Sequence, residues 1–594
     1  MKYAQAMMQW LNQLGYSHCY FVAGGNIMHL LEAARTTMTC VAVVHEVAAG
    51  IAAEVHNEAR GPDVGKAFAL VTAGPGLTNI VTALAGAYLE SRELLVIGGQ
   101  VKTSDLRTGG LRQRGIQEID GVAIAAPTCK RSERLDAPWN AQRFMAAVAD
   151  GFQDRNGPVF LELPLDVQAA TVDDTPSKLS LADFPRVAPT FEARAREAVA
   201  EVAAAISAAK RPVILLGGGV SRETAREVYE DLRSLSVPIM TTWNGTDRYA
   251  SNERNYAGRP NTWGQRSANI LQQQADVLLA LGTRLGLQQT GFAWEDFTPN
   301  GRVIHVDLDP AELDKGHPKT AIALQADANT LLRGLVAADL GEHREWLDFC
   351  RTVRERLPLS DPENGRTAGF LNTYDFVLQL SERCDDDEIV IPCSSGGAET
   401  VMLQAFLNRQ GQTFVNDKGL ASMGYGLSAA IGAAVANPGR RIVHVEGDGG
   451  FTQNSQELAT VAINRLPIKT FLFSNEGYAS IRMTQRNYFK GAYLGCDTKS
   501  GLGFPRWDAL FGAYGIACVT LGTEGTGFGP EAERLWNSEE PAAFVVPVDP
   551  EQNYYPKITS HVLPSGGMRS NPLHRMTPEL PPDVEAYVLR YLPR

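Results

Sequence analysis

Asp448 and Asn475 are oxygen donors, and each stands directly after a segment that reads as a buried strand, 441–446 and 468–474, with a helical pattern over 453–464 between them. A strand, helix and strand in that order bring the two donors to the same end of a parallel sheet. A carboxylate and a carboxamide there suit magnesium, which takes oxygen ligands in octahedral array and shares them with phosphates. The ligand set that follows is Asp448, the Asn475 side chain, a backbone carbonyl at Gly477 and two phosphate oxygens. Gly447, Gly449 and Gly450 beside Asp448 let a cofactor come close to the backbone. A plain turn would explain Gly-Asp-Gly alone, but not the second corner that matches it.

Glu46 marks another corner, after an apolar strand and at the start of a helix whose inner face is Ala48, Ile51, Ala52 and Val55. Taken alone it reads as a first-turn glutamate favoured by the helix dipole. Thr72-Ala73-Gly74-Pro75-Gly76-Leu77-Thr78-Asn79 is a third strand-to-helix corner. Pro392-Cys393-Ser394-Ser395-Gly396-Gly397 is a fourth, and it is expected to open a helix whose N–H groups face an anion.

Together the Asp448 and Asn475 corners, Glu457-Leu458-Ala459-Thr460, His45-Glu46-Val47-Ala48-Ala49 and the 72–79 stretch resemble the acetohydroxyacid synthase, pyruvate oxidase and pyruvate decarboxylase superfamily of thiamine-diphosphate enzymes. The resemblance implies that Glu46 exchanges a proton with N1' of the cofactor's aminopyrimidine, so that the 4'-imino group becomes the base. It also implies that Met423, in Gly419-Leu420-Ala421-Ser422-Met423-Gly424, props the cofactor into a bent shape. Gly74, Pro75 and Asn79 would line the pyrimidine. Ser395, Gly396, Gly397, Gly447, Gly449, Gly450, Gly477 and Tyr478 would hold the diphosphate, with Mg2+ on Asp448, Asn475 and Gly477. Gly24, Gly25 and the catalytic candidate Gln117 would approach the reacting carbons. Ala23 and Ala73 replace the family's Pro and Ser, and 392–397 lacks its usual Gln and His. In this superfamily the pyrimidine domain of one subunit faces the diphosphate domain of another, which implies a homodimer as the minimum and is compatible with a homotetramer.

The chain that must position these groups has 594 residues, enough for about three domains. Short apolar strands alternate with amphipathic helices throughout, giving an α/β fold of three doubly wound parallel-sheet domains. The expected boundaries are 1–175 for a pyrimidine-binding domain, 190–345 for a central FAD-binding-like domain and 365–550 for a diphosphate and magnesium domain. Residues 551–594 read as a wrapping tail or lid, with disorder as the rival. Lys and Arg number 55 against 67 Asp and Glu, a net charge of -12 without a basic aromatic cluster, so nucleic acid is not an expected partner. No segment reads as a membrane span, the first helix is amphipathic, and a cytoplasmic location is expected. The 8 cysteines lack ligand spacing and are expected to be reduced.

The middle of the chain adds Gly217-Gly218-Gly219, Gly282-Thr283-Arg284, Asp307 and Asp327, which resemble in order the FAD-binding segments of the same superfamily and imply FAD in a structural role. After Arg284 the synthases carry a second arginine that recognises a keto-acid acceptor, where this chain has Leu285-Gly286-Leu287-Gln288. A neutral Gln288 suits an uncharged ketone better than a carboxylate. This departure, and the overall pattern, resemble carboligases of branched-sugar (yersiniose-type) pathways. The resemblance therefore implies small-molecule substrates: pyruvate as donor and a ketone, such as a nucleotide-linked 4-keto sugar, as acceptor. The alternatives are acetolactate synthesis from two pyruvates, with Arg266 or Lys130 supplying the missing cation, and a non-catalytic nucleotide-binding protein of the same fold.

Overall fold

The computed structural model describes residues 1–173, 177–394, 396–564 and 566–592. Three six-stranded sheets, with every strand pairing parallel, follow one another along the chain. The first contains β1 (Tyr16–Phe21), β2 (Thr39–Ala42), β3 (Lys66–Val71), β4 (Leu94–Gln100), β5 (Arg131–Arg134) and β6 (Pro158–Pro164), in the order β2-β1-β3-β4-β6-β5. The second contains β7 (Pro212–Leu216), β8 (Ile239–Thr241), β9 (Tyr256–Gly258), β10 (Val277–Leu281), β11 (Arg302–Asp307) and β12 (Ile322–Gln325), in the order β12-β11-β10-β7-β8-β9. The third contains β13 (Ile389–Cys393), β14 (Thr413–Phe414), β15 (Ile442–Gly447), β16 (Ile468–Ser474), β17 (Ala517–Thr520) and β18 (Ala542–Pro547), in the order β14-β13-β15-β16-β18-β17.

These orders determine where ligands go. The outer two sheets share one topology, in which the chain reverses direction across the sheet between the first and third strands, so crevices open above β1/β3 and above β13/β15. The central sheet has the dinucleotide-fold order, and its crevice opens above β7/β10. The corners after β3, β7, β10, β13 and β15 lie at these crevices, and those of Glu46, Asn475, Asp307 and Asp327 follow other strands of the same sheets. The strands beneath are Val, Ile, Leu and Phe runs buried on both faces, as parallel sheets covered by helices require.

The outer domains share a core. The helix Glu46–Ala59 lies against the helix Tyr425–Ala436 so closely that a Cβ on Gly432 would come within 2.2 Å of the Ala52 carbonyl. Arg92 ties the same pair, donating to Glu54 and the Tyr425 hydroxyl at 2.9 Å and to the Asn416 carbonyl at 2.7 Å. Arg222 joins all three domains through Glu58, Asp247 and the Phe414 carbonyl.

One expectation needs correction. The helix expected over 453–464 is a short helix Asp448–Phe451, a turn at Ser455–Glu457 and a helix Leu458–Ile463. The chain starts to wind at Asp448 itself, and Glu457 is turned to another task described below. The tail is ordered: it forms a hairpin of β19 (Ser560–Val562) and β20 (Met568–Ser570) and a helix Pro582–Val588. It docks on the central domain, where Leu573 and Val588 join the core and Gln274 bonds to the Val588 carbonyl and the Tyr591 N–H. No helix among the described residues is long and apolar enough to cross a membrane.

Candidate functional site

Asp448 sits at the end of β15 and Asn475 at the end of the neighbouring β16, as the register of the two strands requires. Asp448 is buried, and its carboxylate accepts the backbone N–H groups of Gly449 at 2.8 Å, Asn475 at 3.0 Å and Glu476 at 2.8 Å. Burial nevertheless pushes its carboxyl up to about 7. The Asn475 side-chain oxygen is buried with no hydrogen-bond partner among the described residues. A carboxylate short of countercharge beside an orphaned amide oxygen fits a hard cation. Among the described residues no group of three His, Cys, Asp or Glu gathers to hold a metal, so the remaining ligands would have to be backbone, water or cofactor oxygens.

The 475–477 corner is built by Arg482, buried on the next helix, which donates to the carbonyls of Asn475 at 3.1 Å, Glu476 at 3.2 Å and Pro550 at 3.0 Å. No local pattern around Arg482 signals this role. Tyr478 follows with its N–H on the Cys496 carbonyl at 2.9 Å. The glycines do different work from that expected. A Cβ on Gly449 would come within 2.3 Å of the Tyr478 ring, and one on Gly450 within 1.9 Å of Ser394 Oγ. Their smallness admits neighbours from this chain, whereas Gly447 faces open space.

Ser395 lies outside the described residues. Gly396 and Gly397 fall in a three-residue turn, Gly396–Ala398, and not at the start of the expected helix; the helix begins only at Thr400. They are packed beneath the buried Tyr554, and Ser394 is held by Glu446 at 2.9 Å. Met423 is 40% exposed just ahead of the helix Tyr425–Ala436, so it is not spent on helix packing.

Above the first sheet, Glu46 is the first residue of its helix, almost buried, and accepts a hydrogen bond from Asn79 Nδ2 at 2.9 Å. Asn79 lies in the first turn of the helix Pro75–Glu90. Gly74 has φ 66°, and a Cβ there would come within 2.6 Å of the Gln117 carbonyl, so the Gly74 corner and Gln117 touch. Gly24 packs on the Thr72 side chain, while Gly25 faces open space. The structure thus gathers Glu46, Gly74, Pro75, Asn79, Gln117, Gly24 and Gly25 at one sheet end. His45 caps the helix, its Nδ1 accepting the Val47 N–H at 3.2 Å.

Glu457 is the residue whose role sequence reasoning missed. Fully buried in the third domain, it accepts the N–H of Val44 at 3.1 Å and of His45 at 2.9 Å, together with the Thr460 hydroxyl at 2.7 Å. It was visible only as a letter in Glu457-Leu458-Ala459-Thr460.

The third crevice is a cleft of about 1270 Å³ lined by Gly218, Gly219, Gly282, Thr283, Arg284, Asp307 and Asp327, and closed on the other side by residues of the first domain such as Ser91 and Arg155. That volume exceeds ordinary small-ligand pockets and suits a dinucleotide. Gly217 lies behind it, packed on the Gly282 carbonyl. Asp307 accepts the Asp309 N–H at 2.9 Å, and burial holds its carboxyl above the usual range. Asp327 is an N-cap, accepting from Asn329 at 3.3 Å and Thr330 at 2.8 Å. Gln288 lines this same cleft. Arg266 and Lys130 are not brought to it: Arg266 is buried against Asp361 at 3.1 Å and the Met576 carbonyl, and Lys130 bonds the Gln153 carbonyl at 2.8 Å.

Three family models match the chain: thiamine pyrophosphate enzyme, N-terminal TPP binding domain, over residues 1–124; the central domain over 199–335; and the C-terminal TPP binding domain over 394–546. The acetolactate synthase isozyme 1 large subunit of Escherichia coli K12 is 30% identical over 567 residues, 93% of this chain and 95% of that protein. The acetolactate synthase large subunit of Corynebacterium glutamicum is 30% identical over 87% of this chain and 82% of its own length. The isozyme 2 large subunit of E. coli K12 is 28% identical over 97% and 100%. The chain belongs to the thiamine-pyrophosphate-dependent enzyme superfamily, close to the acetolactate synthase large subunits.

Proposed function

We propose that this chain, with thiamine diphosphate and Mg2+, decarboxylates pyruvate and joins the two-carbon unit to an acceptor carbonyl. The observation that carries the reading is the orphaned, buried Asn475 oxygen beside the uncompensated Asp448 carboxylate, at the crevice where the fold expects a ligand. When bound, thiamine diphosphate supplies the electron sink for decarboxylation. Asp448, Asn475 and the Gly477 carbonyl hold the metal that carries the diphosphate, with Gly396, Gly397, Gly447 and Tyr478 around it. Glu46, oriented by Asn79, holds and returns the proton at pyrimidine N1'. Met423 supports the bend, and Gln117 meets the substrate together with Gly24 and Gly25.

Glu46 and Asp448 share no hydrogen-bond partner among the described residues, and the apolar Val44, two residues before Glu46, is 49% exposed. This supports a site completed by a second copy of the chain, with a homodimer as the minimum unit and a homotetramer compatible. The central cleft is proposed to hold FAD in a structural role, on the strength of its dinucleotide-type strand order and its volume.

Of two acceptors, a second pyruvate is the better supported and a ketone is the alternative. Similarity to acetolactate synthases over nearly the whole chain favours a second pyruvate. The neutral Gln288 in the cleft, and the engagement of Arg266 and Lys130 elsewhere, favour a ketone such as a nucleotide-linked 4-keto sugar, the branched-sugar (yersiniose-type) reading. Product mass spectrometry with pyruvate alone and with an added cyclic ketone or 4-keto sugar separates them. Acetolactate unaffected by the ketone establishes the first reading, and a ketone adduct gaining a two-carbon unit establishes the second.

A further inference from the structure

Cys19 on β1 and Cys40 on β2 are direct register partners on adjacent parallel strands, so their side chains leave the same face of the sheet. Paired strands run about 4.8 Å apart, inside the range of Cα separations that a disulfide spans. Both cysteines are free. Cys19 is buried and Cys40 half-exposed, on a four-residue strand at the sheet edge, where one strand can shift without breaking a ladder on its far side. The two thiols bond the Tyr20 carbonyl at 3.9 Å and the Met38 carbonyl at 3.7 Å. The neighbouring Cys19 thiol brings Cys40 down to about 7, while burial pushes Cys19 well up. An accessible, easily ionised thiol beside a protected one is the arrangement of an oxidised cysteine and its resolving partner.

We propose that Cys19 and Cys40 form a reversible disulfide under hydroperoxide, and that this bridge regulates turnover. The Cys40 thiolate attacks the hydroperoxide: an S–O bond forms, the O–O bond breaks, and the alkoxide or hydroxide leaving group takes up a proton. The Cys19 sulfur then attacks Cys40: the S–S bond forms, the S–O bond breaks, and hydroxide leaves as water with the Cys19 proton. Two thiols lose two electrons and two protons, and the hydroperoxide is reduced to an alcohol, or to water, plus water.

The bridge bears on the site because of where the two strands lead. β1 runs on into Gly24 and Gly25, and β2 runs on through Val43, whose N–H bonds the Phe21 carbonyl at 3.0 Å, into Glu46. A bridge at this register prefers a Cα separation slightly wider than the strand spacing, so its formation shifts the edge strand and with it Glu46 relative to Gly24. Cross-strand bridges under strain are the ones most readily reduced again.

The test treats the holoenzyme with increasing hydrogen peroxide, maps peptides by mass without reduction, and follows pyruvate consumption. The expected result is a Cys19–Cys40 linked peptide pair two mass units lighter than its reduced components, at least a fivefold fall in turnover in step with it, and recovery of both with dithiothreitol. Cys40→Ser and Cys19→Ala each keep their untreated activity within about twofold and lose the reversible response. The proposal is overturned if other cysteines oxidise while this pair stays unlinked, if the link forms without change in turnover, or if either variant responds as the parent does.

Discussion

The carboxylate of Glu457 accepts the backbone N–H of His45 at 2.9 Å, reaching from the third domain to the residue immediately before Glu46. It fixes the corner from which Glu46 projects, across the boundary between the first and third domains. Glu457→Ala leaves the Val44 and His45 N–H groups without that partner, at about 1–3 kcal/mol each. The expected outcome is a loss of about 2–5 kcal/mol in unfolding free energy together with a fall in turnover. Glu457→Gln retains one acceptor and should lose less of both. Denaturant unfolding alongside steady-state kinetics checks this, and unchanged turnover in a folded Ala variant contradicts it.

At the metal corner the prediction separates binding from stability. Asn475→Ala removes a buried oxygen that has no partner in the metal-free protein. The metal-free protein should therefore be as stable as the parent or more so, while Mg2+ affinity drops at least about tenfold, as expected for loss of one ligand. Calorimetric titration of Mg2+ and thermal unfolding without metal give the two numbers. Unaltered Mg2+ affinity would remove Asn475 from the ligand set.

Glu46→Gln should leave thiamine diphosphate bound and lower turnover about 10²–10⁴-fold, the usual range for loss of a positioned proton-transfer group. Asn79→Ala frees the Glu46 carboxylate from its 2.9 Å partner and should cost less, mainly in turnover. Cofactor titration by fluorescence, run beside kinetics, distinguishes lost chemistry from lost binding.

Glu162 gives a pH signature. It is buried on β6, bonded by Gln100 at 3.2 Å with Arg134 at 3.7 Å, and burial raises its carboxyl from 4.5 to about 7. The folded state holds this proton more tightly than the unfolded chain, so the group stabilises the fold only while protonated. That stability is full below about 4.5, is lost as pH rises to about 7, and changes no further above it. Glu162→Gln, which cannot ionise, should match the parent near pH 4 and exceed it by up to about 3 kcal/mol at pH 8. Denaturant unfolding at the two pH values checks it, and a constant difference between the proteins at both contradicts it.

Much of this arrangement was legible from residues alone. β7, β11 and β16 begin and end where the largely apolar runs at 212–216, 302–307 and 468–474 do, because a strand buried on both faces is predominantly apolar and its few buried polar groups, such as Lys469 and His305, must find hydrogen-bond partners. The site corners were legible because Gly, Asp, Asn and Pro gather where strands turn into helices. What stayed hidden depends on register and long-range contact. Cys19 facing Cys40, Glu457 reaching His45 and Arg482 holding the Asn475 and Glu476 carbonyls together with that of Pro550 each rest on contacts that no local pattern encodes. A packing role of Gly449 and Gly450 stayed hidden for the same reason: Tyr478 and Ser394, remote in sequence, come close to them. The tail read as irregular because its order comes from docking Leu573, Val588 and Tyr591 onto the central domain, not from a periodicity of its own.

The measurement that tests the central claim most directly is carbon NMR of the products formed from pyruvate labelled at C2, in the presence of thiamine diphosphate, Mg2+ and FAD, by the parent protein and by Glu46→Gln. The account predicts a product in which the labelled carbonyl carbon is bonded to a new carbon, formed by the parent and almost absent with the variant. Label found only in acetaldehyde or acetate, or a bond formed equally well without Glu46, would contradict it.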